Sequence, residues 1–191
     1  MGPRCAIIEG MKHAILALMM ASPALAETCP AAPDHADALN GLIEAVQAAP
    51  NEMKARQISN DMWQYWADAP DDYAQELLDE GMSRRSSYDY DGALTALNAL
   101  VAYCPDYAEG YNQRAFVNFL RQDFSAALPD LDRAIALSPR HVAAIAGRAL
   151  TLVGMERKAE AALTLREALA LNPWLSERHL LPALEEGEEE L

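Results

Sequence analysis

Three prolines, Pro105, Pro139 and Pro173, stand 34 residues apart, and the residues ahead of each fall into one register. Twelve positions before them lie Ala93, Ala127 and Ala161, and twenty-four before them lie Gly81, Ala115 and Ala149. A repeat of this length with small residues at two fixed points predicts stacked helical hairpins, because a large side chain where two helix axes cross would push them apart. The fold class that follows is all-α: an α-solenoid of stacked helical hairpins in which each hairpin buries its apolar face only against its neighbours.

Counting back from the prolines gives three units of two helices each, residues 74–107, 108–141 and 142–175. In the second unit Tyr111, Ala115 and Phe119 mark one apolar stripe and Ala127, Leu131, Ala134 and Ile135 another, both at three-to-four-residue spacing. Asp89 and Asp123 stand where the second helix of the first two units should begin, suited to cap its free N–H groups, with Tyr90 and Phe124 filling the space beneath the turn. The third unit has Arg157-Lys158 there instead and is identified by Ala149, Ala161, Leu165, Ala168 and Pro173. Pro129 falls inside the second helix of the middle unit and predicts a kink or local opening, since it removes a backbone hydrogen bond.

Period and position-specific residues together resemble the tetratricopeptide repeat family. The likeness covers residues 74–175, and Tyr111-Asn112-Gln113-Arg114-Ala115, Asp123-Phe124 and Ala134-Ile135-Ala136-Leu137-Ser138-Pro139 are close to its pattern. The resemblance implies a concave face lined by the first helix of each unit. Gln75, Leu78, Met82 and Arg85 come from the first unit, Glu109, Asn112, Phe116 and Phe119 from the second, and Ala143, Ala146, Leu150 and Val153 from the third. Members that grip a chaperone's C-terminal carboxylate use Lys, Asn and Arg on this surface, whereas these positions are mostly Leu, Met, Phe and Ala. The expectation is a partly apolar groove for an amphipathic or extended peptide, with the polar residues setting register. The competing reading of Phe116 and Leu150 is burial by a neighbouring unit.

Repeat arrays need ends. Leu39, Leu42, Ile43 and Val46 form a stripe, and Asn51 stands where it would cap a second helix carrying Ile58, Met62, Tyr65 and Trp66. Residues 27–73 therefore read as an N-terminal arm and a degenerate helical pair capping the first repeat, with Trp63 and Trp66 packed on it. Residues 176–191 read as a capping helix, in a final helix running from Trp174 to about Leu184, followed by an acidic tail, with Glu185 and Glu186 opening the acidic run.

Lys12 and His13 precede an apolar run from Ala14 to Met20, and Ala24-Leu25-Ala26 fits a small-x-small cleavage site. Residues 1–26 thus predict a signal peptide cleaved after Ala26, with translation from Met11 because Glu9 does not suit a basic leader. The run is shorter than the ~20 residues needed to span a bilayer, so a secreted, periplasmic product without stable membrane insertion is expected. There Cys29 and Cys104 form the one pair left after Cys5, either as a disulfide or as two unpaired thiols.

A net charge of −14 argues against nucleic acid as a partner. No phosphate loop, nucleophile elbow or zinc-helix motif is present, and Asp34-His35-Asp37 reads as helix capping rather than a metal site. The functional expectation is a non-enzymatic scaffold or adaptor in the cell envelope, without cofactor or metal, that binds another protein or peptide in its groove. The alternatives are self-association as a homo-oligomer and an enzyme whose site the sequence hides.

Overall fold

A computed structural model describes residues 2 and 28–186. The export signal expected from Lys12 to Ala26, the start at Met11, Cys5 and the end of the acidic run lie outside them. Among the described residues there is no strand. The chain forms α1 (Ala36–Gln47), α2 (Glu52–Trp66), α3 (Asp72–Ser86), α4 (Tyr90–Tyr103), α5 (Ala108–Leu120), α6 (Phe124–Leu137), α7 (Val142–Gly154), α8 (Lys158–Leu171), a 3-10 helix at Ser176–Leu180 and α9 (Leu181–Glu185).

The three repeat hairpins are α3–α4, α5–α6 and α7–α8, each packed on the next through α4–α5 and α6–α7. The small residues lie where the axes meet: Ala93, Ala115, Ala127, Ala149 and Ala161 are all buried. A Cβ added at Gly81 would stand 2.6 Å from Leu97 Cγ, so the first hairpin is closed to the limit that glycine allows. The first helices approach one another, α3 against α5 and α5 against α7, with no comparable approach between α4 and α6 or α6 and α8. The α3–α5–α7 layer is therefore the inside of the curve.

Each hairpin turns through the same device. Tyr88, Gln122 and Glu156, again 34 apart, hold φ of 63°, 62° and 60°. Asp89 N–H donates to the Arg84 carbonyl, Asp123 N–H to Asn118 and Arg157 N–H to Leu152, while the left-handed residues donate to Arg85, Phe119 and Val153. This is the Schellman closure, usually built on glycine, made here three times without one. The next residue then caps the second helix: Asp89 accepts from Gly92 N–H and Asp123 from Ala126 N–H, as expected, whereas Arg157 makes no side-chain cap and instead clasps Glu160 at 2.6 and 2.7 Å.

One expectation is narrowed and another corrected. Pro129 does not open its helix, since α6 runs uninterrupted through it. The final segment is not one helix from Trp174: it is a 3-10 turn followed by α9, with Pro182 in its first turn, and Leu184 packs with Ala161, Ala162 and Leu165 of the third unit.

The larger correction concerns the N-terminal pair. It does not cap the outer face of the first repeat; it folds back along the array to the third. Ile43, Val46, Ile58, Met62 and Trp66 share one core with Val142, Ala143, Leu171, Trp174 and Leu175. At the tip of the hairpin Gln47 donates to the Ala170 carbonyl at 2.7 Å, and Arg178 pairs with Glu52 at 2.9 Å. At its base the chain returns to α3 through residues 67–71, and Cys29 meets Cys104 with Cα atoms 5.1 Å apart. The pair is thus a flap rooted on the first unit and resting on the last.

Candidate interaction groove

Six of the expected groove residues come together. Asn112, Phe116 and Phe119 on α5 and Ala143, Ala146 and Leu150 on α7 line a largely apolar cavity of about 310 Å³. Its far wall is the flap: Ser59, Met62, Trp63 and Trp66 of α2 face them, and Asn172, Leu175 and Glu177 close one end. Phe116 remains 43% exposed, and Trp63 38%. Amphipathic periodicity places α2 as a helix and Asn51 caps it at Lys54 N–H, but no local signal says which surface it covers.

The remaining positions do other work. Leu78 is fully buried in the first-unit core, because its stripe faces α4 rather than the groove. Val153 packs beside Ala149 and Leu152 in the third-unit core. Met82 packs on the first-unit core, and Gln75 accepts from Ala69 N–H at 3.1 Å while donating to Asp79, which ties down the linker. Arg85 donates to Gln113 and lies over the Phe116 ring, 4.7 Å from its centre. Burial pushes its guanidinium below the ordinary arginine value, so the one cation of the expected face is already engaged.

Glu109 is not on the groove surface either. At 1% exposure it is the hub of a buried polar network that crosses all three units. Its Oε1 accepts from Gln113, which is bonded to Arg85, and its Oε2 accepts from Asn112 at 3.0 Å and lies 2.8 Å from His141 Nε2. His141 Nδ1 accepts from Ala144 N–H at 3.3 Å. That contact leaves the ring proton on Nε2, where it donates to Glu109. The other face of the network is the flap: Trp66 stacks on His141 at 4.3 Å and 11°, and the Tyr107 hydroxyl donates to the Trp66 carbonyl at 2.7 Å. Burial raises the Tyr107 phenol above its ordinary value, so it stays a donor. Trp66 thus sits on the third unit's first residues and not on the first repeat alone, as its position in sequence suggested.

A second device was invisible in the apolar pattern. Arg114 grips Asp130 through Nε and Nη2 at 2.7 and 2.6 Å and reaches Asn98 through Nη1, and 34 residues on Arg148 holds Asp132 at 2.7 Å and Thr164 at 2.6 Å. Each arginine pins its first helix between two second helices. Asp130 raises the Arg114 guanidinium further above its usual range. The equal spacing of Arg114 and Arg148 was the available signal.

A further cavity of about 500 Å³ opens on the other side of Trp66, between residues 32–36 and the loop 137–141. His35 there bonds Asp68 at 2.7 Å, and Asp34 accepts from Ala36 N–H. Among the described residues no group of three or more His, Cys, Asp or Glu is placed to hold a metal ion, and no helix is long and apolar enough to cross a membrane.

No protein-family model matches the chain. A TPR repeat-containing protein of Rhizobium etli is 29% identical over 102 residues, 52% of this chain and 48% of that protein. A tetratricopeptide repeat protein 36 homolog of Nematostella vectensis is 40% identical over 73 residues, 38% of this chain and 40% of the homolog. The chain thus spans less than half the length of these curated relatives. Among solved structures, the first TPR domain of Spaghetti (RPAP3), bound to the HSP90 peptide SRMEEVD, superposes with a TM-score of 0.59 at 21% identity, over 61% of this chain and 93% of that one. A MamA RS-1 double mutant superposes at 0.57 and 17% identity, over 83% and 88%. These two likenesses are of fold. The 34-residue register, the threefold hairpin turn and these relatives agree: the chain is similar in sequence to tetratricopeptide repeat proteins and has the fold of their repeats.

Proposed function

We propose that this protein is a non-enzymatic interaction scaffold, exported to the cell envelope, that holds a peptide or helix of another protein against α5 and α7. The observation that carries this is the apolar wall of Phe116, Phe119, Ala146 and Leu150, open to a cavity of about 310 Å³ with Phe116 still 43% exposed. Exposed aromatic area beside a few polar groups is the chemistry of a helix-in-groove site. Solved neighbours include TPR domains complexed with HSP90 and HSP70 peptides, which supports a peptide as partner. An acidic chaperone tail is not the ligand favoured here, because Arg85 is committed to Gln113 and Phe116 and the chain carries a net charge of −14.

Export supplies the setting in which Cys29 and Cys104, already brought together, would be joined as a disulfide. The test of function is partner binding by a Phe116→Ala variant. The account expects at least a tenfold loss of affinity with helicity by circular dichroism unchanged. Unchanged affinity, or a matching loss of helicity, would remove the groove reading.

A further inference from the structure

The groove is not empty space awaiting a ligand; the chain's own hairpin lies on it. Helix α2 turns Ser59, Met62, Trp63 and Trp66 toward Asn112, Phe116, Ala143 and Leu150, with its bulky members at the helical spacing a groove-bound helix uses. The fit is uneven along its length. At the base, Trp66 is held by His141 stacking, by Tyr107 and by the nearby Cys29–Cys104 contact. Toward the tip the polar ties, Gln47 to Ala170 and Arg178 to Glu52, are exposed and of a kind that contributes little in water, so the hold there is the apolar packing of Val46 and Ala55 in the core shared with Leu171 and Trp174.

The seam between flap and array is also imperfect. The Nε1 donors of Trp66 and Trp174 are buried there without an acceptor. Each such donor costs about 1–3 kcal/mol that exposure to water would return. Cavities lie on both sides of Trp66, and unfilled space forfeits the dispersion contacts that would otherwise hold the flap shut. A seam held by apolar packing, with orphaned donors and unfilled space along it and only exposed polar ties toward its tip, can part without breaking a buried ion pair.

We propose that the α1–α2 hairpin is a displaceable flap, and that the groove's partner is a neutral-to-basic amphipathic helix that takes the place of α2. This rests on the groove reading above. The template is α2 itself, which presents Met62 and Trp66 four residues apart and carries two acids among Glu52 and Asp61 balanced by Lys54 and Arg56. The excess negative charge of the chain favours a partner no more acidic than this. Because a closed flap reduces the fraction of competent molecules, the apparent affinity for such a helix is held down until the tip releases.

The experiment uses the full chain and, as probe, a fluorescein-labelled peptide of residues 50–67. Its anisotropy is followed with the parent protein, with a Gln47→Ala, Glu52→Arg variant that unlatches the tip, and with that variant carrying Phe116→Asp as well. Hydrogen exchange of α1–α2 and α5–α7 is read in parallel, with circular dichroism to check folding. The unlatched variant is expected to bind the probe at least tenfold more tightly, with α1–α2 exchanging at least tenfold faster, α5–α7 unchanged, and Phe116→Asp cancelling the gain. If α1–α2 exchanges only together with α5–α7 in every folded variant, the hairpin is an integral layer and the flap is overturned while the groove reading stands. If the hairpin opens but the probe shows no Phe116-dependent binding, the partner class and the groove reading fall together.

Discussion

Replacing Glu109 by alanine should be among the most damaging single changes in this protein, although the residue lies at a helix start where glutamate is ordinarily dispensable. The side chain is 1% exposed and accepts from Asn112, Gln113 and His141. Removing it leaves three buried donors unsatisfied and uncouples α5 from His141, the cap of α7. Leaving buried donors without acceptors costs about 1–3 kcal/mol each. With a urea dependence near 2 kcal/mol per molar for a domain of this size, a loss of about 4 kcal/mol moves the midpoint down by about 2 M. The assay is urea unfolding by circular dichroism for Glu109→Ala, His141→Ala and the double variant. Because the two residues share the contact, the double variant should lose at least 1 kcal/mol less than the sum. A loss below 1 kcal/mol for Glu109→Ala, or strict additivity, would show that the network is not what couples the units.

Three further outcomes follow from the fold. Gln122→Gly and Glu156→Gly should each raise stability by about 0.5–1 kcal/mol by relieving the left-handed turn, read as a higher urea midpoint; a fall would mean the side chains contribute more than the strain. Ala115→Leu, at a fully buried crossing point, should cost about 1–3 kcal/mol by overpacking in the same assay. Asp89 and Asp123 are held below the ordinary carboxylate range, Asp89 mainly by Gly92 N–H and Asp123 by the Ser125 hydroxyl and Ala126 N–H. Their contribution is present above about pH 4, the unfolded value, and is lost as pH falls through the lower folded values. Asp89→Asn with Asp123→Asn should therefore flatten the acid limb of stability against pH, and an unchanged limb would count against the caps.

Where local chemistry dictates the outcome, the chain announced its structure. The 34-residue register placed Ala115 and Ala127 at the crossing, and Asp89 and Asp123 at the caps, because these demands act within a few residues. The left-handed turn escaped notice since Tyr88, Gln122 and Glu156 share no chemistry, only a position and a φ. Leu78 and Glu109 were assigned to the groove by the resemblance, yet a shift of one helical face sends a side chain into the core, and single-residue pattern does not resolve that rotation. The flap was the least legible element. Its helices, its Asn51 cap and its apolar stripe were readable, but the partner of that stripe, Val142 and Leu175, lies more than seventy residues away in sequence. Nothing local distinguishes a hairpin that caps the first unit from one that folds back across all three.

The central claim is that α5 and α7 present the surface through which this protein meets its partner. A photo-reactive phenylalanine analogue placed at position 116, compared with one at position 163 on the exposed side of α8, tests it most directly when irradiated in the protein's native cellular setting. The account predicts a discrete covalent adduct from position 116 that Asn112→Ala diminishes and that position 163 does not give. Capture from position 163 with none from position 116 would contradict it.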